Sequence, residues 1–172
     1  MKTLVTLVAL LAAIAAANAF GSLEVETSSS DTETFRFFQI KPITNTVGIF
    51  SFAVVTEGWG QAYAGLDYSP SKNFDFGLGY GVDTAGNNRR IGGYAILNEG
   101  RFSLKHFFES EGSGEFHKTF LTYQFSPKIT LGACDNKFLG TGPLIDYTVS
   151  KGLTARVVAF PHETTFSLIT TF

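Results

Sequence analysis

From Phe20 to Phe172 the chain consists of short segments in which apolar and polar residues alternate. In Asn73–Asp83, Phe, Leu, Tyr and Val occupy every second position, and Gly, Asn and Asp occupy the positions between them. Residues 101–109 and 163–172 alternate in the same way. A period of two residues is typical of β-strands, whose side chains point to opposite faces in turn. The pattern therefore predicts an all-β fold.

Turn signals rich in Gly, Pro, Asn, Asp or Ser separate these segments. Eleven of them divide the chain, near Ser28–Thr32, Pro42–Asn45, Glu57-Gly58, Pro70–Lys72, Thr84–Asn88, Asn98–Gly100, Ser110–Gly114, Ser126–Lys128, Asp135–Lys137, Ser150–Gly152 and Phe160–His162. No helical period of 3.6 appears between them. We therefore expect one up-and-down antiparallel barrel of about twelve strands. The first segment, Gly21–Thr27, is short and acidic, and about ten strands are the alternative if it does not pair.

The first 19 residues have the pattern of a secretory signal peptide. Met1-Lys2 supplies a positive charge, Leu4–Ala17 is uninterruptedly apolar, and Ala17-Asn18-Ala19 supplies the small residues needed for cleavage after Ala19. The alternative, a retained membrane helix, would have about 14 apolar residues against the ~20 that span a bilayer. We expect residues 20–172 to form a single domain.

Composition excludes several classes of function. The formal net charge of −2 gives no basic excess for binding nucleic acid. A single cysteine excludes an internal disulfide framework and a multi-cysteine metal site. The sequence lacks a Gly-x-Ser-x-Gly elbow, a His-Glu-x-x-His motif and a phosphate-binding loop, so no enzyme, cofactor or metal is expected. No later apolar run is long enough for a membrane helix, so membrane residence would require a barrel.

Three features favour a barrel with its apolar face turned outward to lipid rather than inward, as in a soluble barrel. The face of each strand opposite the apolar one is rich in Gly and small polar residues, which suit a narrow lumen. The chain ends on Phe172 at a strand terminus. Aromatic residues recur near strand ends, as in interfacial girdles, namely Trp59, Tyr68, Phe74, Tyr80, Phe102, Phe108, Tyr123, Phe125, Tyr147 and Phe172.

Over residues 20–172 this pattern resembles the bacterial outer-membrane β-barrel proteins, in particular small porin-like barrels. In that class the last strand commonly ends on Phe, with apolar residues at alternate positions before it. Phe172, Leu168 and Phe166 fit this pattern, whereas Thr170 and Thr164 depart from it. The resemblance implies export to the outer membrane, contact with its lipid and lipopolysaccharide, and recognition by the barrel assembly machinery through Phe172.

Three turns resemble the short periplasmic turns of such barrels. They are Tyr68–Lys72, Phe125–Lys128 and Val149–Gly152. Strict up-and-down order places all three at one end, the end of the C-terminus. The other turns are also short, which leaves little material for a plug or an adhesive domain, so specificity is expected inside the barrel.

Hairpin pairing predicts a charged lumen. If the Asn98–Gly100 hairpin pairs Arg90 with Glu109 and Tyr94 with Lys105, and the next hairpin pairs Lys105 with Lys118, these charges share the inward face. Further inward candidates are Asp75, Asp146, Arg156 and Glu163. Two readings stay open: a constriction that sets ion or solute preference, and a salt-bridge network that fills a closed barrel. A register shift of one residue would move these side chains to the opposite face, and the charged cluster would not form.

The outward face carries a predicted pair of His106 and His117. Two adjacent imidazoles can bind a metal or respond to pH, but a histidine near a strand end is more commonly an interfacial side chain, and no third acidic or Cys ligand is evident on that face. Cys134 is expected to be a small inward wall residue, and His162 a solvated turn residue.

The sequence thus predicts a narrow passive pore for small solutes or ions, or a structural barrel whose lumen is plugged by side chains. One alternative is a lipid-modifying outer-membrane enzyme that uses His106 or His117. The other is a secreted soluble β-barrel that binds an apolar ligand. A homo-oligomer or a larger envelope complex is compatible with the short loops and the apolar wall.

Overall fold

The computed structural model describes residues 19–84, 89–110 and 114–172. These residues form one closed barrel of twelve strands. The strands are β1 (Phe20–Ser28), β2 (Glu33–Pro42), β3 (Val47–Thr56), β4 (Trp59–Ser71), β5 (Phe74–Asp83), β6 (Arg89–Glu99), β7 (Phe102–Ser110), β8 (Phe116–Gln124), β9 (Ile129–Asn136), β10 (Gly140–Ser150), β11 (Leu153–Ala159) and β12 (Thr164–Thr171). The predicted up-and-down antiparallel barrel of about twelve strands is confirmed.

The acidic first segment is a true strand. Antiparallel pairing of β1 with β12 runs from Ser22 opposite Thr171 to Ser28 opposite Thr165 and closes the ring. The other edge of β1 pairs with β2. The alternative of ten strands is therefore wrong, because without β1 the edges of β2 and β12 would have no partner.

Both chain termini of the barrel lie at one end, which we call the proximal end; the opposite end is the distal end. The proximal turns are residues 43–46, 72–73, 100–101, 125–128 and 151–152. The three turns that were predicted to share one end therefore do so. Gly100 and Gly152 have positive φ values of 59° and 79°, which a glycine adopts without a Cβ clash in a tight hairpin turn.

The apolar face of the strands points out of the barrel. Phe76, Leu104 and Leu168 are 41%, 39% and 55% exposed, whereas the inward Asp83 and Ser167 are 2% and 4% exposed. A soluble barrel would pack the first three side chains together in a dry centre, and the structure contradicts that alternative.

Outward aromatic residues gather at the proximal end. Tyr68 packs edge-on against Phe76 with ring centroids 5.6 Å apart, and Phe102 lies 4.9 Å from Tyr123. Trp59, which was predicted to belong to a girdle, instead lines the lumen. The reason is that it pairs with Thr56 on the inward face, at the first position of β4.

Large side chains also fill part of the interior. An aromatic cluster lies against β2 to β7 and consists of Phe38, Phe50, Phe52, Tyr63, Tyr94 and Phe107. Its edge-to-face contacts include Phe38 with Tyr94 at 5.1 Å and Phe50 with Tyr94 at 5.2 Å. A second apolar cluster lines β8 to β11 and the turn that follows, and it consists of Phe120, Cys134, Leu144, Val158 and Phe160. The lumen is therefore the space between two apolar patches of the wall.

The glycines of β4 to β6 make room for the aromatic cluster. A Cβ on Gly77 would lie 2.4 Å from the Tyr94 ring, and one on Gly92 would lie 2.7 Å from the Tyr63 ring. The expectation that the Gly-rich face suits a narrow lumen is correct about the space, but aromatic rings occupy part of it.

The predicted register of the β6–β7 hairpin is wrong by two residues. Glu109 lies opposite Gly92 rather than Arg90, and Lys105 lies opposite Ile96 rather than Tyr94. The turn uses Gly100 and Arg101, later in the chain than predicted, because Gly100 adopts the left-handed conformation. A shift of two keeps every side chain on its predicted face.

The β7–β8 register is also shifted by two residues. Lys105 lies opposite Phe120 and not Lys118, and His106 lies opposite Thr119 and not His117. The connection extends to Glu115, since β8 begins at Phe116, which moves the centre of the hairpin.

The predicted signal segment, residues 1–19, lies outside the described residues except for Ala19. Parts of the turns at Thr84–Asn88 and Ser110–Gly114 also lie outside them. Within the described ranges, no helix is long and apolar enough to cross a membrane.

Replacement of Gly79 by alanine tests the packing of the aromatic cluster. The new Cβ would meet Phe50 Cζ and the Ala64 carbonyl oxygen, each at 2.7 Å, so we expect a loss of about 1–3 kcal/mol in unfolding free energy. Gly60→Ala is the matched control, because its Cβ meets nothing closer than 3.4 Å. Urea unfolding of the two purified variants is the measurement. Equal stability of the two variants would contradict the packing assignment.

Candidate functional site: the charged lumen

A cavity of about 570 Å³ occupies the lumen. Its lining includes Ser22 and Thr171 at the proximal end and Thr32 and Phe138 at the distal end. The lining therefore spans the length of the barrel, between the two apolar patches of the wall.

The centre of the cavity is lined by ion pairs from β1, β2 and β8. Arg36 Nη2 donates to Glu26 Oε1 at 2.8 Å, and Arg36 Nη1 lies 3.7 Å from Glu24 Oε2. Lys118 Nζ reaches the other oxygen of Glu26 at 3.5 Å, and Ser167 Oγ donates to that same oxygen at 3.4 Å. One carboxylate thus joins two cations from strands that are distant in the ring.

A second pair lies on β10 and β11, between β1 and β8 in the ring. Arg156 binds Asp146 with two parallel hydrogen bonds, from Nε at 2.7 Å and from Nη2 at 2.9 Å. This bidentate geometry is the strongest arrangement of a guanidinium and a carboxylate. The guanidinium also lies over the Phe120 ring, 4.7 Å from its centroid, and Lys118 Nζ lies 5.2 Å from the same centroid.

A third cluster is centred on Arg90 near the distal end. Arg90 Nη1 contacts Asp83 at 3.1 Å, Nη2 contacts Glu109 at 3.2 Å, and Nε donates to Tyr63 Oη at 2.8 Å. Gln61 Nε2 donates to Glu109 at 2.7 Å. Arg90 and Asp83 are each 2% exposed. This cluster of paired charges contacts the distal side of the aromatic cluster through Tyr63.

The structure places the predicted lumen residues on the inward face. It brings Arg90 to Glu109 and Asp146 to Arg156, but it does not pair Lys105 with Lys118. Asp75, also inward, lies opposite Ile96 toward the proximal end, away from the central ion pairs. Glu163 lines the cavity at the distal end and accepts a hydrogen bond from Ser30.

Sequence reasoning missed part of this site. Glu24, Glu26 and Arg36 are central to it, and the hydroxyl of Tyr94 donates to Asp67 beneath the aromatic cluster. The signal was present in β1, because Glu24 and Glu26 alternate with Leu23 and Val25. It was not used, because that segment was the least certain strand.

The outward histidines lie diagonally and not opposite each other. Their ring centroids are 6.5 Å apart, and His106 Nδ1 lies 2.9 Å from Thr119 Oγ1. The expectation that no acidic residue is near on that face is wrong, since His117 Nε2 lies 3.2 Å from Asp135 Oδ2. Thr119 and Asp135 contact different imidazoles, so they do not form one nucleophile–base–acid chain. No group of three metal-ligating side chains occurs in the described part of the chain.

The remaining singled-out residues lie in the wall or at the distal end. Cys134 is completely buried within the second apolar cluster, as a small residue facing inward. His162 is exposed in the turn between β11 and β12.

The fold is a closed up-and-down barrel of twelve strands, with an apolar outer wall and a lumen lined by ion pairs and two apolar patches. No family model matches the sequence, and a search of the curated proteins finds no relative. Solved structures do match. The KdgM porin in complex with disordered oligogalacturonate is 15% identical over 89% of this chain and 98% of its own, with a TM-score of 0.59. The NanC porin is 9% identical over 88% of this chain and 98% of its own, with a TM-score of 0.53. At these identities the likeness establishes the shared barrel fold.

Removal of the Arg90 guanidinium tests the distal cluster. Arg90→Met would leave Asp83 and Glu109 without their shared cation, so we expect a loss of about 3–5 kcal/mol in unfolding free energy. Arg101→Met, at an exposed proximal turn, is the matched control and should change stability by less than about 0.5 kcal/mol. Denaturant unfolding of the two variants decides the point. A stable Arg90→Met variant would show that the ion pairs add nothing to stability.

Proposed function

We propose that the protein is a narrow passive pore for small solutes or ions in the bacterial outer membrane. The observation that carries this proposal is the cavity of about 570 Å³, whose lining reaches both ends of the barrel. A plugged barrel would instead have side chains filling this space. The porins that share its fold support the same function.

The lumen is narrower than a ring of twelve strands alone would give. The aromatic cluster fills part of the side of β2 to β7, and the remaining cavity is lined by residues of β1 to β4, β6 to β9, β11 and β12. Twelve strands already give a bore between filled eight-stranded barrels and open 16- to 18-stranded porins. We therefore expect the pore to admit small solutes and to reject folded or bulky ones.

The charges in the passage are nearly balanced. Four cations face three carboxylates at its centre: Arg36, Lys105, Lys118 and Arg156 against Glu24, Glu26 and Asp146. At the centre this single positive charge in excess gives a mild preference for anions, although the whole lining, with Arg90, Glu109, Glu115 and Glu163 added, has no positive excess. KdgM has been crystallised with an acidic oligosaccharide, oligogalacturonate. For the present chain we propose no oligosaccharide, because paired carboxylates line the passage.

The outer wall is suited to a lipid bilayer. Apolar side chains cover it, and aromatic residues gather at its proximal end. We propose contact with outer-membrane lipid and lipopolysaccharide, and recognition of Phe172 by the barrel assembly machinery. Phe172 is 42% exposed and stacks beside Phe37 at the closing seam. Self-association or a larger envelope complex would use the same wall.

Conductance across a planar bilayer tests the pore. We expect the purified protein to give stable current steps in potassium chloride, with a reversal potential that favours chloride weakly. The double variant Lys105→Glu, Lys118→Glu replaces two positive charges by two negative ones and should shift the preference to potassium. Repeated silence under conditions in which a known porin conducts would favour the plugged barrel or the lipid-modifying enzyme. Retention of full conductance by His106→Ala and His117→Ala would separate the histidines from the pore.

An arginine on the outer wall tests membrane residence. Leu78 faces outward and is 55% exposed, so Leu78→Arg would place a charge in the hydrocarbon layer and cost about 2–4 kcal/mol of stability in lipid. Ile43→Arg is the control, since Ile43 lies in a proximal turn and is 61% exposed. Unfolding in phospholipid vesicles is the measurement. An equal effect of the two substitutions would contradict the assignment of the wall to lipid.

A further inference from the structure

Among the described residues, Lys105 is the cation at the centre of the lumen for which no partner is present. Arg36, Lys118 and Arg156 each contact a carboxylate, but in residues 19–84, 89–110 and 114–172 nothing forms an ion pair or hydrogen bond with the Lys105 ammonium group. The side chain is exposed, and it lines the cavity. It is therefore available to a solute that enters the lumen.

The wall around Lys105 is apolar. Its cross-strand neighbours are Ile96 on β6 and Phe120 on β8. Phe107 lies two residues along β7 on the same inward face and packs edge-on against Phe120, with ring centroids 6.4 Å apart. Ile96, Phe107 and Phe120 all line the cavity. The Lys105 side chain is thus flanked by Ile96, Phe107 and Phe120 on the inward face. Over the Phe120 ring lie Arg156 and Lys118, 4.7 Å and 5.2 Å from its centroid, so the Phe107 ring and Ile96 are the apolar surfaces beside Lys105 that carry no cation.

Other charges near Lys105 are already engaged. The charged side chains that interact electrostatically with Lys105 are Arg156, Asp146 and Glu24. Asp146 is bound in a bidentate pair by Arg156, and Glu24 lies 3.7 Å from Arg36. Neither carboxylate contacts the Lys105 ammonium, so one positive charge stays uncompensated beside an apolar surface.

We propose that Lys105, Phe107 and Phe120 form a binding subsite for a small organic anion with a flat apolar body, such as an aromatic carboxylate. The carboxylate binds the ammonium group, and the apolar body lies against the Phe107 ring, Ile96 and the edge of the Phe120 ring. The reason is complementarity: a purely hydrophilic anion would leave the rings unused, and a neutral apolar solute would leave the charge unpaired. This subsite rests on the proposed pore, because a solute must enter the lumen to reach it.

Four probes separate the two parts of the subsite. Phenylacetate carries both charge and ring, acetate carries only the charge, phenylacetamide only the ring, and galacturonate is a hydrophilic anion. We expect phenylacetate to reduce the single-channel current in a saturable manner and to bind the detergent-solubilised barrel in calorimetry. The other three probes should bind at least about tenfold more weakly, since each lacks the ring or the charge.

Matched variants test the residues. Lys105→Met should weaken phenylacetate binding by about tenfold, which is the loss of one charge-assisted contact. Lys128→Met removes the same charge from an exposed proximal turn and leaves the lumen unchanged, so binding should change by less than about twofold. Phe107→Leu keeps an apolar side chain without the ring and should weaken binding of phenylacetate but not of acetate.

The outcomes distinguish the subsite from the pore. Conductance without selective phenylacetate binding, or equal losses for Lys105→Met and Lys128→Met, would overturn the subsite and leave the pore standing. Absence of conductance would overturn the pore, and calorimetry would still test binding to the lumen. Tighter binding of galacturonate than of phenylacetate would show that the apolar wall plays no part in recognition.

Discussion

The closed ring of backbone hydrogen bonds is the constraint on which the rest of the structure depends. Once β1 pairs with β12, every residue of every strand points either to the lumen or to the outside. The period of two along each strand then sorts the side chains: Leu66, Leu78 and Leu168 lie outside, and Glu26, Arg36 and Lys118 lie inside. Without closure, two edges would expose unpaired peptide groups, which a bilayer does not tolerate.

The alternation of residues was enough to predict the fold, the strand number and the face of nearly every side chain. It was enough because the face to which a side chain points depends only on whether its position in the strand is odd or even. The errors at Lys105 and His106 were shifts of two residues, so both side chains kept their faces although their partners changed. Trp59 was misassigned for a different reason: at the first position of a strand, an aromatic residue at the interface and one in the lumen have the same local pattern.

The contents of the lumen could not be predicted in the same way. Contacts such as Lys118 with Glu26 and Phe38 with Tyr94 join strands that are not neighbours in sequence. They depend on the stagger of the whole ring and on side-chain volumes, which no hairpin rule contains. The glycines of β5 illustrate the point. In the sequence, Gly77 and Gly79 show only that no side chain is present. In the barrel, the rings of Tyr94 and Phe50 pack directly against the backbone at these two positions.

Most charged groups in the lumen are paired, and this pairing determines which of them remains uncompensated. A charge that is bound to an opposite charge contributes to the rigidity of the wall and little to the field in the passage. Arg36, Arg156 and Lys118 are held in this way by carboxylates on other strands. Lys105 differs because its neighbours on both adjacent strands are apolar. In the proposed pore, the electric field in the lumen is therefore determined less by the number of charged residues than by Lys105, whose cross-strand partners cannot neutralise it.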